Sequence, residues 1–230
     1  MTRSRKNFIT ISSIIFICIQ AVLFYLIIWA KGNTVAFQYI SVCLCFTFAL
    51  LYYRKEKDVL LTILALLFTI IADLFLVIFG SEYKLYGMIA FSVVQVLYFA
   101  RLLSQIKSQK IFWINIISRI VCIAIALTIT AIILGDKTDL LSIISIFYYT
   151  NIVLNMLLAF VQFKLSPIFA VGLLLFVLCD TFIGLQVASN SYISIPTDSW
   201  LYHIIFPGFN IAWMFYLPSQ TCIALSVVKK

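Results

Sequence analysis

Apolar residues along this chain follow neither the two-residue alternation of a half-buried strand nor the narrow stripe of a surface helix. They come in long runs broken by short polar clusters. Runs able to cross about 30 Å of hydrocarbon, roughly 20 residues each, fall near 8–30, 34–53, 59–79, 85–106, 111–134, 140–163, 168–188 and 201–227. They predict an all-α integral membrane protein, a single bundle over residues 1–230 with eight transmembrane helices. The first run follows Arg3, Arg5 and Lys6 as a signal peptide would. It is too long for a secretory h-region and no small-residue cleavage site closes it, so it reads as a retained helix. Pro207, Gly208 and Pro218 should kink the last run.

Composition sharpens this picture. Hydrophobic residues make up 64% of the chain and charged residues 10%, against about 25% charged in a soluble domain. The mean hydropathy of +1.15 describes the whole length, which excludes a soluble globule and leaves no room for a sizeable domain outside the bilayer. The net charge of +8 orients helices rather than marking a nucleic-acid partner. With eight spans, one set of loops and ends holds Arg3, Arg5, Lys6, Arg54, Lys55, Lys57, Arg101, Lys107, Lys110, Lys164, Lys229 and Lys230, and the opposite set only Lys31, Lys84 and Lys137. The asymmetry predicts both termini in the cytoplasm. Trp29 and Trp200 then fall at the outer interface and Trp113 at the inner one. All six cysteines lie in apolar runs, so neither a disulfide framework nor a zinc site is indicated.

In hydrocarbon the informative residues are those that are costly to place there. Six of the eight acids sit in loops or at helix ends, whereas Asp73 and Asp180 lie inside the third and seventh runs. At 1.5 Å rise per residue they are about 21 and 18 Å from the cytoplasmic boundary, nearly one depth. Their surroundings echo each other, Ala72-Asp73-Leu74-Phe75-Leu76 against Cys179-Asp180-Thr181-Phe182-Ile183, four helices apart. That is the spacing of a parallel 4+4 internal repeat. Gly172, Phe176, Gly184 and Ala188 share the face of Asp180 and would let a neighbouring helix approach.

Other polar residues recur at helical spacing. Tyr148, Asn151 and Asn155 form one stripe, extended by Gln162; Gln95 and Tyr98 form another; Asn210, Tyr216 and Gln220 lie in the last run. Together with the aspartates these would line a polar cavity, or simply make interhelical hydrogen bonds. Arg119, within the fifth run, must pair or snorkel, and its place favours snorkelling. The chain has one histidine, His203, and no H-E-x-x-H, G-x-S-x-G or phosphate-binding glycine loop, which argues against a zinc hydrolase, a serine hydrolase and an ATP-driven machine.

The stretch Ala72-Asp73-Leu74-Phe75-Leu76, followed by Phe79-Gly80, Gly87, Phe91, Gln95 and Tyr98, resembles the G-D-x-x-L, G, F, H-x-x-Y signature of the YhhN-like lysoplasmalogenase family. Tyr149, Met156 and Ala159, the segment from Gly172 through Phe176 to Cys179-Asp180, and Phe215-Tyr216-Leu217-Pro218-Ser219-Gln220 resemble the family's later motifs. The likeness covers most of the chain. This sequence departs from it at Ala72 for Gly, Cys179 for Ser, Gln95 for His and Gln38 for Lys.

The resemblance implies an eight-helix membrane hydrolase that opens the vinyl ether bond of a lysoplasmalogen-type lysophospholipid, giving a fatty aldehyde and a glycerophospho-base. It implies no cofactor, no metal and no nucleic acid; the partners are the lipid substrate and the bilayer. Vinyl ether hydrolysis starts with protonation of an alkene carbon and passes through an oxocarbenium ion. It therefore needs one carboxylic acid and one carboxylate, as glycosidases do. Asp73 and Asp180 are the candidates for those roles, with Gln95, Tyr98, Tyr148, Asn151, Asn155, Tyr216 and Gln220 as candidate substrate contacts. Two other readings stand beside this one: a small transporter or lipid flippase with the aspartates as a proton or cation site, and a non-catalytic relative that lost activity with the missing His and Lys.

Overall fold

A computed structural model describes residues 3–30, 32–191 and 195–228, with side chains from Asn7 onward. Lys31, Lys229 and Lys230 of the charge tally lie outside the described residues, as do the side chains of Arg3, Arg5 and Lys6 and part of the loop from Ser189 to Ser199. Among the described residues all regular structure is helical: α1 (Arg3–Trp29), α2 (Val35–Leu51), α3 (Lys57–Asp73) continuing as a π-helix (Leu74–Phe79), α4 (Lys84–Leu103), α5 (Gln109–Leu134), α6 (Leu140–Val161), α7 (Pro167–Ser191), α8 (Trp200–Ile205) and α9 (Ile211–Leu225).

Six of these helices are long and apolar enough to cross a membrane, fewer than the eight runs suggested. The second run forms a helix of 17 residues and the last leaves one of 15, both short of the roughly 20 needed to cross on their own. The last run fails because its middle cannot stay helical. Pro207 lacks an amide hydrogen, Gly208 adopts φ +83°, and the chain restarts only where Asn210 accepts a hydrogen bond from the Trp213 amide at 3.3 Å. The third run also departs from expectation, because after Asp73 the helix loosens to π geometry, closed by the bond from the Gly80 amide to the Phe75 carbonyl. At the start of α6, Asp139 and Ser142 form a reciprocal cap. The Ser142 amide, and then its hydroxyl, hold the Asp139 carboxyl below its ordinary range.

The helices run up and down, and their ends can be paired from hydrogen bonds. Arg54, after α2, donates to the Val227 carbonyl after α9 at 2.8 Å. Tyr52 meets Ser12 of α1, and Gln162, after α6, donates to the Leu102 carbonyl of α4 at 3.2 Å. These contacts gather the start of α1 and the close of α9 at one end of the bundle, called the basal end below. α3 packs along α4 and α7 along α9, with α4 also against α6. In the core lie Leu66, Val94, Phe169, Phe176 and Ile223, all fully buried. α5 is peripheral, and Arg119 is its one buried residue.

A small residue sets the α7–α9 contact. A Cβ on Gly172 would lie 2.9 Å from Ile223 Cγ1 of α9, and Ser219 Oγ donates to the Gly172 carbonyl at 2.8 Å. Gly184, expected on the same packed face, has nothing within 4 Å of a Cβ position and is exposed. The helix break keeps α9 from reaching that far up α7. Gly172→Val should therefore overpack the α7–α9 contact and cost about 1–3 kcal/mol. In thermal unfolding of detergent-purified protein that variant is expected to melt earlier, with Gly184→Ala close to wild type. Equal melting of the two would contradict the packing described.

Candidate functional site

Asp73 closes α3 just before the π-helix, a placement common at functional sites. Its Oδ2 accepts a hydrogen bond from the Tyr216 hydroxyl of α9 at 2.6 Å, and both side chains are buried. Asp180 of α7 is treated alike: its Oδ2 accepts from the Tyr148 hydroxyl of α6 at 2.5 Å. Next to it Tyr149 and Thr181 share a 2.8 Å hydrogen bond, a second tie between α6 and α7.

The two tyrosines meet the same pair of rings. Phe91 lies 5.7 Å from Tyr148 and 6.4 Å from Tyr216, and Phe176 lies 6.5 and 5.5 Å from them. Four helices thus bring two tyrosine-held carboxyls against one pair of aromatic rings. Such a pair lowers the local dielectric and strengthens any charge interaction beside it.

Gln95, Asn151 and Asn155 serve a different group. Arg119 does not snorkel: its Nη1 donates to Asn151 Oδ1 at 2.6 Å and its Nη2 to Asn155 Oδ1 at 2.8 Å, while the guanidinium lies 3.6 Å from the Phe99 ring centroid. Asn155 Nδ2 in turn donates to the carbonyl and the side-chain oxygen of Gln95, at 2.9 and 3.0 Å. The Tyr148 stripe of α6 therefore splits, its first member on Asp180 and the two asparagines on Arg119. Pairing wins because the acceptors of α6 lie within reach while a charge left in hydrocarbon is costly.

The remaining expected contacts are buried and carry unmet hydrogen-bonding capacity. Tyr98 is fully buried against Phe169, ring centroids 5.4 Å apart, and its hydroxyl has no partner among the described residues. Gln95 Nε2 and both amide atoms of Gln220 are likewise buried without partners there. Each such group costs about 1–3 kcal/mol when dry. They mark where a water or a polar ligand group would be held.

Arg101 was expected in a basal loop. It is instead 2% exposed inside α4, donating to Thr62 Oγ1 and Ser226 Oγ at 2.8 Å each. The available signal was its spacing, three residues beyond Tyr98 and still inside an apolar run.

Residues 33–227 match the model of the YhhN family. No curated protein and no solved structure matches the chain.

The clamp and the carboxyl pairs should separate in a stability test. Arg119→Leu strands the acceptors of Asn151 and Asn155 and removes charged hydrogen bonds worth about 1.5–3 kcal/mol each. Its melting temperature should fall clearly. Asp73→Asn and Asp180→Asn can still accept from their tyrosines and should melt within a few degrees of wild type. Arg119→Leu melting like wild type would show that the clamp does not hold α5.

Proposed function

We propose that this chain, which belongs to the YhhN family, is a multi-pass membrane hydrolase of the lysoplasmalogenase type, cleaving the vinyl ether bond of a lysophospholipid. The observation that carries the reading is the pair of intramembrane carboxyls, Asp73 buried and Asp180 half-buried, each held by a tyrosine whose ring meets Phe91 and Phe176. In this reading the short α2, and α8 with α9, complete eight spans arranged as two four-helix halves, with both termini in the cytoplasm.

The chemistry asks for one carboxylic acid and one carboxylate, and two close carboxyls that share a single proton provide both. One aspartic acid passes its proton to the alkene carbon next to the ether carbon, and the positive charge left on the ether carbon and oxygen faces the other carboxylate. Water then adds to the cationic carbon and gives a proton to that second carboxylate, forming a hemiacetal. As the hemiacetal opens, the second carboxyl returns the proton to the departing glycerol oxygen and the first takes up the hemiacetal hydroxyl proton. The products are a fatty aldehyde and a glycerophospho-base, and both aspartates end as they began.

The tyrosine hydroxyls orient one oxygen of each carboxyl and leave the other to act. Tyr98, Gln220 and the free amide nitrogen of Gln95 are the groups suited to hold water or the glycerol, with Asn155 holding Gln95 in place and Asn151 joined to it only through Arg119. A single acyl-like chain suits a site that opens among helices, because the tail can stay in the bilayer.

Purified protein incubated with a lysoplasmalogen should release aldehyde, and with an ester lysolipid should release no fatty acid. Asp73→Asn or Asp180→Asn should each remove most of the aldehyde release, and the double variant should be little worse, since residues acting as a unit are not additive. Wild-type rates in either folded Asn variant would end the two-carboxyl mechanism. No aldehyde from wild type, with ion-coupled uptake altered by the same variants, would assign the pair to transport. No turnover until Gln95→His is introduced would identify a lapsed enzyme.

A further inference from the structure

At the basal end, one turn beyond Tyr98 on α4, a cavity of about 780 Å³ opens over Arg101. Thr62, which Arg101 touches, lies eleven residues before Asp73 on α3, ~16 Å along the helix axis. The cavity is therefore separate from the carboxyl pair, with Phe169 lying between Tyr98 and Arg101 as a shared wall. Its size suits a small organic ligand, and its wall has an uneven hydrogen-bond balance.

The guanidinium of Arg101 is fixed by Nη1, which donates to Thr62 and Ser226, and by Phe169, whose ring centroid is 3.8 Å from its carbon. The other edge is largely unspent. Nη2 reaches Ser166 Oγ only at 3.4 Å, and Nε, on the same edge, is buried with no partner among the described residues. Nε and Nη2 together form the fork that binds two oxygens of a phosphate side by side.

Other parts of the wall agree with an anionic ligand. Lys57 lines it, and so do the first residues of both α3 and α7, whose helix N-termini favour negative charge. Gln105 lines it too, and its buried Oε1 lacks a partner among the described residues; that acceptor would suit a glycerol hydroxyl. Glu56 and Asp58 lie on the same wall, Glu56 already paired with Arg54 at 3.9 Å.

We propose that this cavity binds a glycerophosphodiester, with Arg101 holding the phosphate and Gln105 the glycerol. Its choice of ligand rests on the proposed hydrolysis, which would produce such a molecule. It provides a second site at the water-facing end, through which the soluble product leaves or where a lysolipid headgroup is first held.

The test is isothermal titration of detergent-purified full-length protein with glycerophosphocholine, and in a parallel arm with ester lysophosphatidylcholine in mixed micelles. Wild type should bind glycerophosphocholine saturably, more weakly at high salt. Arg101→Gln should weaken binding about tenfold or more, as expected for loss of a charge-assisted fork. Because Arg101 also ties four helices together, Ser104→Trp, on the exposed lip of the cavity, supplies an independent variant that fills the space without touching the buried bonds. Binding of the lipid but not the soluble diester, lost in both variants, would assign the site to headgroup capture. Asp73→Asn should bind as wild type does. Absence of saturable binding in both arms, or unchanged binding in Ser104→Trp and folded Arg101→Gln, would overturn the proposal. Aldehyde release that persists alongside either result would leave the proposed hydrolysis standing, while diester binding without aldehyde release would leave the cavity site standing alone.

Discussion

A carboxyl group in hydrocarbon must be met by a donor, and here each of the two that lie inside the long apolar runs is met by a tyrosine from another helix. The Asp73–Tyr216 bond joins α3 to α9, and the Asp180–Tyr148 bond joins α7 to α6. Much of the interior follows from satisfying these two groups. Phe91 and Phe176 both pack against the two tyrosines, and Gly172 lets α9 lie close along α7, where Tyr216 meets Phe176. The π-helix after Asp73 brings Leu76 against α4, where Gly87 leaves room: a Cβ there would lie 2.5 Å from Leu76 Cγ.

The other buried polar groups fall into two kinds that do different work. Arg119 and Arg101 are bolts, each tying its own helix to its neighbours through side-chain hydrogen bonds. Without Arg119, α5 would have little to hold it, since its faces are otherwise almost wholly apolar and exposed and lipid is as good a solvent for them as protein. Gln220, Tyr98 and Gln95 Nε2 spend little or nothing. A bundle selected for stability alone would place apolar residues there, so unpartnered amides beside a carboxyl pair are better explained by a polar molecule that occupies the space in use.

The all-helical fold and the seating of Asp73 and Asp180 inside helices were legible in the sequence because they depend on composition along a line. Runs of apolar residues and rare buried acids need no knowledge of rotation. What was not legible depends on how each helix turns and where it stops. Arg101 and Arg119 were misplaced because hydropathy records depth along the chain but not whether a neighbouring helix offers acceptors. Asn151 and Asn155 share a stripe with Tyr148, yet a small rotation around α6 directs them to Arg119 instead of Asp180. The π-helix after Asp73 has no local signature, being set by packing on α4. The break before Asn210 was visible as Pro207-Gly208, but reading it as a kink hid that it shortens α9 and leaves Gly184 bare.

The central claim is that the two carboxyls share one proton, so that a neutral acid stands beside a carboxylate at neutral pH. Infrared spectroscopy of the purified protein in lipid can observe this directly, through the C=O stretch of a protonated carboxyl and its shift on isotopic labelling of aspartate. The account predicts a single such band at neutral pH, lost in one of Asp73→Asn and Asp180→Asn and displaced in the other. Two ionised carboxylates and no protonated band, or a band indifferent to both substitutions, would contradict it.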